Sequence, residues 1–355
     1  MASNQEKDMM LSSAKRELSK LRSSAHRNAT LYFHYPCFDG LVSAAIAWEF
    51  LEQWAHWRIA EICPVNYDQK QTWANRELAP TSAVVDFLFH PKATLWADHH
   101  STAFSSAHVQ QSNEPANDQW RAYDPGSRSC AALLWHNVAG SLQHLDRFGE
   151  MIFWADKIDS AAYDSVEEAL FGNAPALRIN LSLILADGPN YAKLIVEALR
   201  SGSLSDAARM PEVTSRAAEA TERIKKGLEE VRRHIHLVGD IAVLEATQNE
   251  DVVISRYAPY HFCHRARYSI VMIESETGVK ITAMRNPWME FRSIELGALF
   301  QKYGGGGHQR IGSLVIPPAR SEERSRIFAD IIKDVQAQVA AQLPEGRPSL
   351  AGSPI

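Results

Sequence analysis

The run Thr94-Leu95-Trp96-Ala97-Asp98-His99-His100 is apolar until it ends in one acid and two imidazoles. Carboxylate and neutral imidazole are the usual protein ligands of divalent Mn, Fe or Zn. A strand ending in them presents them at its carboxyl end, where open α/β sheets bind ligands. A His-rich turn capping a strand would carry the same three residues, so other segments must decide. Asp86 closes Ser-Ala-Val-Val-Asp-Phe (82–87), a position where a carboxylate is costly unless paired or metal-bound. His34, Cys37 and Asp39 cluster at the end of the run 29–35, and Gly40 allows the tight turn there. The apolar, helix-spaced segment that follows has a dipole and free N–H groups that favour anions. Asp156 and Asp159, in Ala-Asp-Lys-Ile-Asp, stand at i, i+3 and can share a helix face, one as a ligand and the other as its supporting acid. A rim of helix N-caps would also place acids at strand ends. Three consecutive strand ends carrying acids or imidazoles are, however, hard to ascribe to chance placement along a sheet edge.

A second group lies in Tyr303-Gly-Gly-Gly-Gly-His-Gln-Arg-Ile-Gly312. Gly305, Gly306 and Gly307 let backbone approach a ligand, and successive N–H groups can form an anion-binding nest. A flexible turn would account for the glycines, but not for His308 and Arg310 directly after them and Arg285 at the end of the preceding strand. Together these residues suggest a phosphate site. Arg128 lies between Ser127 and Ser129, whose hydroxyls suit a helix cap, and is a further candidate substrate contact. No Walker-type Lys-Ser/Thr follows the glycines, and no Ser-His-Asp arrangement competes.

These groups need a scaffold. The 355 residues are 45% hydrophobic, enough for about two domains, with a net charge of −5 and a pI near 6.3. That balance argues against a non-specific nucleic-acid coat while allowing a small basic pocket. Cys37, Cys63, Cys130 and Cys263 are widely spaced, which suits a reducing cytoplasm better than a disulfide scaffold or zinc ribbon. With no signal peptide and no long apolar run, a soluble chain without membrane contact is expected. Strands are expected at 29–35, 59–65, 82–87 and 94–98, and helices at 41–57, 130–138, 142–158, 177–185 and 191–199. The expected organisation is an N-terminal helical extension (1–28), a first domain (29–202), a charged helical linker (203–238), a second domain (239–343) and a tail (344–355). The second domain reads as strands at 241–244, 252–255, 268–274 and 279–284, with helices at 259–267, 293–303 and 321–342.

From about residue 29 to 316 the chain resembles the DHH/DHHA1 phosphoesterase superfamily. Asp98-His99-His100 matches the signature of its first domain, and Gly304-Gly-Gly-Gly-His308 with Gly312 that of its second. The resemblance implies an α/β fold: an N-terminal DHH domain with a mostly parallel sheet flanked by helices, and a smaller C-terminal α/β DHHA1 domain with a mixed sheet. It also implies a hydrolase using one or two Mn²⁺, with Zn, Fe, Co or Mg also compatible. Asp86 would bridge the metals; Asp39, His99 and one of Asp156 and Asp159 would hold one ion, and His34 the other. His100 would face the scissile phosphate, Asp98 would orient an imidazole, and Asp39 would belong to the catalytic set with them. Arg285, His308 and the glycine nest, with Arg310 and Arg128, would hold the substrate.

One departure stands out: the family's first motif, Asp-x-Asp-Gly, is here Cys37-Phe38-Asp39-Gly40. Cys37 would act as a thiolate ligand favouring softer metals, or as a small inert residue. The implied activity is hydrolysis of short oligonucleotides or small nucleotides such as linear or cyclic dinucleotides or pAp-like molecules. Trp288 and Tyr303 are available to stack a base. Alternatives are a RecJ-like single-strand exonuclease and a nucleotide-binding regulator with an impaired metal site. A pyrophosphatase or exopolyphosphatase is disfavoured by the DHHA1-type glycines. A homodimer is left open.

Overall fold

β1 (Arg27–His34), β2 (Trp57–Val65), β3 (Ser82–Val85), β4 (Leu95–Asp98) and β5 (Trp120–Tyr123) form one sheet in the order β2-β1-β3-β4-β5. Every pairing is parallel, so all five carboxyl ends lie along one edge. Both faces are covered, which is why the inner strands read as continuous apolar runs: β3 and β4 are buried throughout. On one face lies the helix Phe38–Gln53, buried from Phe38 to Leu51. It packs on β1 and on the helices Cys130–Val138, Asp146–Asp159 and Pro189–Ser201. The other face is an aromatic cluster that includes Tyr32, Trp73, Phe87, Phe89 and Trp96. The order of strands reverses between β1 and β3, where connections leave in opposite directions and open a crevice. His34 ends β1 and Asp86 follows β3, so both stand at this crevice.

The computed structural model describes residues 21–22, 27–104, 119–142, 146–185, 188–275 and 278–342. The expected N-terminal helix and the tail lie outside the described residues. Met1–Ala162 with Ala174–Ala217 form one unit, and Tyr163–Asn173 with Ala218–Ile355 another. The division falls inside the helix Pro211–His234. Among the described residues no helix is long and apolar enough to cross a membrane.

In the second unit β6 (His236–Val238), β7 (Ile241–Thr247), β8 (Tyr268–Ser275), β9 (Gly278–Arg285), β10 (Gly306–His308) and β11 (Ile311–Ile316) form a sheet in the order β10-β11-β9-β8-β7-β6. Only β7 and β8 pair in parallel, making the sheet mixed. Ile270, Ile281, Phe300, Ile331 and Val335 bind the helices Leu296–Gln301 and Arg324–Gln342 to one face. The chain is thus α/β in both halves.

Differences from the expected elements have local causes. β5 is a four-residue edge strand with an arginine inside it, too short for alternation to show. Val252–Ser255 is not a strand: Val253 N–H donates to the Arg223 carbonyl, and Ile254 packs on Val231, Leu244 and Val271. Its apolar residues serve a cluster under a loop. β6, β10 and β11 were not anticipated because short or glycine-rich strands carry little periodicity.

Gly40 is required by space, since its φ is ordinary. A Cβ there would meet the His34 carbonyl oxygen at 2.0 Å and Asp86 Oδ2 at 3.2 Å. Gly40→Ala is expected to destabilise the protein by about 3 kcal/mol through overpacking at this junction, visible as a lowered urea midpoint.

Candidate metal centre

Asp86 occupies the left-handed region (φ 56°), unusual for a residue with a side chain. Its N–H donates to the Ala97 carbonyl at 2.9 Å, so the neighbouring strand holds the conformation. Such backbone strain, where it persists, clusters at functional sites. The carboxylate is 0% exposed, and no hydrogen bond reaches either oxygen. His34 Nδ1 lies 3.4 Å from Oδ2, while His99 Nε2 and His100 Nδ1 each lie 3.7 Å from Oδ1. Burial, and then the nearby Asp39, Asp98 and Asp159, push the Asp86 carboxyl well above the usual carboxylate range.

Three groups of ligand-type atoms, each within 4.8 Å of one another, occur here: His34, Cys37 and Asp86; Asp86, His99 and His100; and Asp39, His99 and Asp159. Asp86 belongs to the first two groups and His99 to the last two, so one continuous cluster offers more than one position for an ion.

The imidazoles are aimed by the chain around them. His99 Nδ1–H donates to the Ser127 carbonyl at 3.1 Å, which leaves Nε2 facing Asp159 Oδ2 at 3.4 Å and Asp39 Oδ2 at 3.6 Å. Asp98 Oδ1 accepts from His99 N–H at 2.8 Å, His100 N–H at 3.2 Å and His100 Nδ1–H at 2.8 Å. Burial alone would lower the His100 pKa, but the bond and charge of Asp98, aided by Asp159 and Asp39, raise it to about 9. His34 has no such partner; burial, with His100 and His99 nearby, lowers it to about 3.

Asp39 sits in the first turn of its own helix and caps another. Its oxygens accept from Cys130 N–H at 2.7 Å and Ala131 N–H at 2.9 Å, where the N-terminal dipole favours an anion. The two acids of the Asp146–Asp159 helix part ways. Asp156 accepts the Ser129 hydroxyl at 2.5 Å, and that same hydroxyl caps Ala132 N–H at 3.0 Å. Asp159, one turn on, reaches His99. Arg128 is exposed in the loop between Ser127 and Ser129.

Residue patterns anticipated a cap at Ser127–Ser129 but did not reveal the Ser127 carbonyl as the partner of His99, the bond between Asp156 and the Ser129 hydroxyl, or Tyr67. The Tyr67 ring meets those of His34 and His100 at 5.0 and 6.0 Å, and its buried hydroxyl has no hydrogen-bond partner. Its signal was available, since it follows β2 by two residues and so stands at a strand's carboxyl end.

The residues fit a divalent cation. Buried atoms without hydrogen-bond partners include both Asp86 oxygens, His34 Nδ1 and His99 Nε2. An uncompensated buried charge costs several kcal/mol, and a cation among these lone pairs removes that cost. The mixed nitrogen and carboxylate set suits Mn, Fe or Zn, with the Cys37 sulfur a softer donor.

In the second unit the other expected site residues are largely engaged by their own fold. Gly304 and Gly305 N–H donate to the Gln301 and Phe300 carbonyls, ending the helix, and Gly306–His308 is β10. Of the glycines expected to form a nest, Gly305 has its N–H already used, and Gly306 and Gly307 pair with β11. A Cβ on Gly307 would lie 2.1 Å from the Ile311 oxygen, so the paired strand explains that glycine. His308 pairs with Ile311 through its backbone; its side chain lies outside the description. The buried Arg285 donates to the Asn286, Met289 and Phe291 carbonyls and covers the Phe291 ring at 4.2 Å. It still lines, with Arg292, Gln309 and Arg310, a cavity of about 470 Å³. Trp288 donates to the Tyr163 carbonyl and packs on Tyr257 and Tyr260, while Tyr303 bonds Asp334. Both rings take part in the unit's own packing.

No family model and no curated protein matches the sequence. Solved structures do match in fold. The pGpG-specific phosphodiesterase PggH from Vibrio cholerae is similar over 88% of this chain and 99% of its own, with TM-score 0.64 and 19% identity. The fold is that of the DHH/DHHA1 phosphoesterases. RecJ from Thermus thermophilus in complex with Mn²⁺ is similar over 94% of this chain and 55% of its own (TM-score 0.54, 14% identity). An exopolyphosphatase-related protein from Bacteroides fragilis covers 93% and 98% (TM-score 0.51, 13% identity). The His99-His100 cluster could hold a metal ion, and the RecJ structure carries Mn²⁺.

Two predictions follow from the geometry. In metal-free protein at neutral pH Asp86→Asn is expected to raise the urea midpoint by removing a carboxyl whose ionisation, free in the unfolded chain, is opposed in the fold by burial and nearby acids. In wild type Mn²⁺ at about a hundred times its Kd should add about 2.7 kcal/mol of stability, and the variant should lose that gain. Asp159→Asn is expected to weaken Mn²⁺ binding at least about tenfold, whereas Asp156→Asn should chiefly cost about 1 kcal/mol through the Ser129 cap; calorimetric titration with Mn²⁺ and urea unfolding separate the two.

Proposed function

We propose that this chain is a divalent-metal-dependent phosphoesterase acting on short nucleotides, with a linear dinucleotide such as pGpG as its leading substrate. The observation that carries the reading is Asp86, a fully buried carboxylate with no hydrogen bond to either oxygen and three imidazole nitrogens within 3.7 Å, shared between two ligand groups at the sheet's switch point. The substrate class is supported by the likeness to PggH, which aligns over nearly its whole length. The net charge of −5 offers no long electrostatic track for a polymer.

Asp86, His34 and Cys37 would hold one ion, and Asp39, His99 and Asp159 the other. When bound, the ions supply Lewis acidity that makes water a nucleophile at neutral pH and offsets phosphoryl charge. Asp98 fixes the orientation of the His100 ring through Nδ1, and His100 would face the phosphoryl group. The Ser127 carbonyl keeps the proton of His99 on Nδ1 and its lone pair on Nε2. In the second unit, taken by itself, Arg310, exposed beside the glycine hairpin, and Arg285, lining the same cavity, offer positive charge suited to an anionic group.

The test is hydrolysis of pGpG to two GMP with Mn²⁺, compared between wild type and Asp86→Asn. A loss of at least about a hundredfold is expected, and chelation of wild type should do the same. Hydrolysis indifferent to both would refute the proposal. Equal or faster degradation of a long single strand would instead favour the exonuclease reading.

A further inference from the structure

We infer that Cys37 is a metal ligand that makes the His34–Cys37–Asp86 position selective for a thiophilic divalent cation such as Zn²⁺ or Fe²⁺, while the Asp39–His99–Asp159 position keeps an oxygen-rich set suited to Mn²⁺. The inference rests on the metal-dependent reading above and assigns its two positions different preferences.

Cys37 Sγ, a His34 ring nitrogen and an Asp86 oxygen lie within 4.8 Å of one another. Asp86 is wholly buried and has no hydrogen bond to either oxygen, and His34 Nδ1 has none. The thiol therefore stands beside two ligands that themselves lack partners. A structural role for Cys37 does not account for it. It is the N-cap of the 16-residue helix Phe38–Gln53, yet its thiol makes no bond of full capping geometry there, only a weak sulfur contact with the Gly40 N–H. Elsewhere Ser129, Ser165 and Ser203 do cap their helices, and N-cap positions favour such side chains. Cys130 is different, with its thiol hydrogen-bonded to the Ala97 carbonyl at 3.4 Å. Among the described residues Cys37 alone of the cysteines belongs to a ligand group.

Coordination replaces an S–H bond with a sulfur–metal bond and releases one proton to solvent, with no redox change. A site of one imidazole, one thiolate and one carboxylate favours Zn²⁺, Fe²⁺ or Co²⁺ over Mn²⁺, whereas carboxylate-rich sets suit Mn²⁺. Because Asp86 also belongs to the group with His99 and His100, an ion at the thiol position adjoins the second one.

The experiment uses the full chain, chelated and then titrated with Co²⁺ under reducing conditions. Wild type is expected to develop a sulfur-to-cobalt charge-transfer band in the near ultraviolet, lost in Cys37→Ser and Cys37→Asp. Dialysis against equimolar Zn²⁺ and Mn²⁺ should leave about one of each per wild-type chain, and Cys37→Asp should shift the bound Zn/Mn ratio toward Mn at least tenfold. A wild type that binds cobalt without that band, or takes up two Mn²⁺ as Cys37→Asp does, overturns the inference without any variant having to fold. Hydrolysis is scored separately. The thiolate band without hydrolysis sustains the cysteine ligand and refutes the phosphoesterase reading; hydrolysis without the band refutes the cysteine ligand alone.

Discussion

Asp86 is a carboxylate that the fold has removed from water and left without a donor, with Asp39, Asp98 and Asp159 close enough to oppose its ionisation. Burying one charge costs several kcal/mol, and like charges nearby add to that. In the metal-free chain such a carboxyl resists ionisation, and a divalent cation held by these carboxylates and imidazoles would relieve that cost. Much else in the first unit serves to hold this arrangement open: the left-handed Asp86 backbone tied to β4, the glycine that lets the first helix begin against β1, and a sheet whose switch point lies between β1 and β3.

The other acids are managed locally. Asp39 is held by the N-terminal N–H groups of the Cys130–Val138 helix, and Asp98 by two backbone N–H groups and an imidazole. Asp156 is drawn aside by Ser129. The cluster thus separates carboxylates that the protein already satisfies in part from Asp86, which it does not. In this way protein donors set ligand orientation while lone pairs remain for an ion.

The second unit is built in the opposite manner. Its cations and glycines are largely satisfied by their own chain: Arg285 braces the loop that follows it, and the glycine run closes a hairpin and a helix end. What remains available is exposed Arg310 and a cavity lined by arginine and glutamine side chains.

Much of this could be read from residue order, because apolar runs and their abrupt polar ends are local signals. The strands ending in His34, Asp86 and Asp98, the α/β class, and the pairing of an Asp-His-His signature with a glycine-His motif all belong to that kind. Val252–Ser255 imitated a strand because burial under a loop selects the same residue types as burial in a sheet. Tyr163–Asn173 joins the second unit, although its sequence neighbours lie in the first, because Trp288 and Tyr257 supply its contacts. That Asp159 rather than Asp156 meets His99, and that the Cys37 thiol shares a site with Asp86, depended on packing between segments far apart in the chain. Sequence by itself determined which groups were capable of holding a metal, through their chemistry and their places at strand ends. Only tertiary structure decided which lone pairs are left unpartnered, because that depends on every donor within reach, and most of those donors come from other elements.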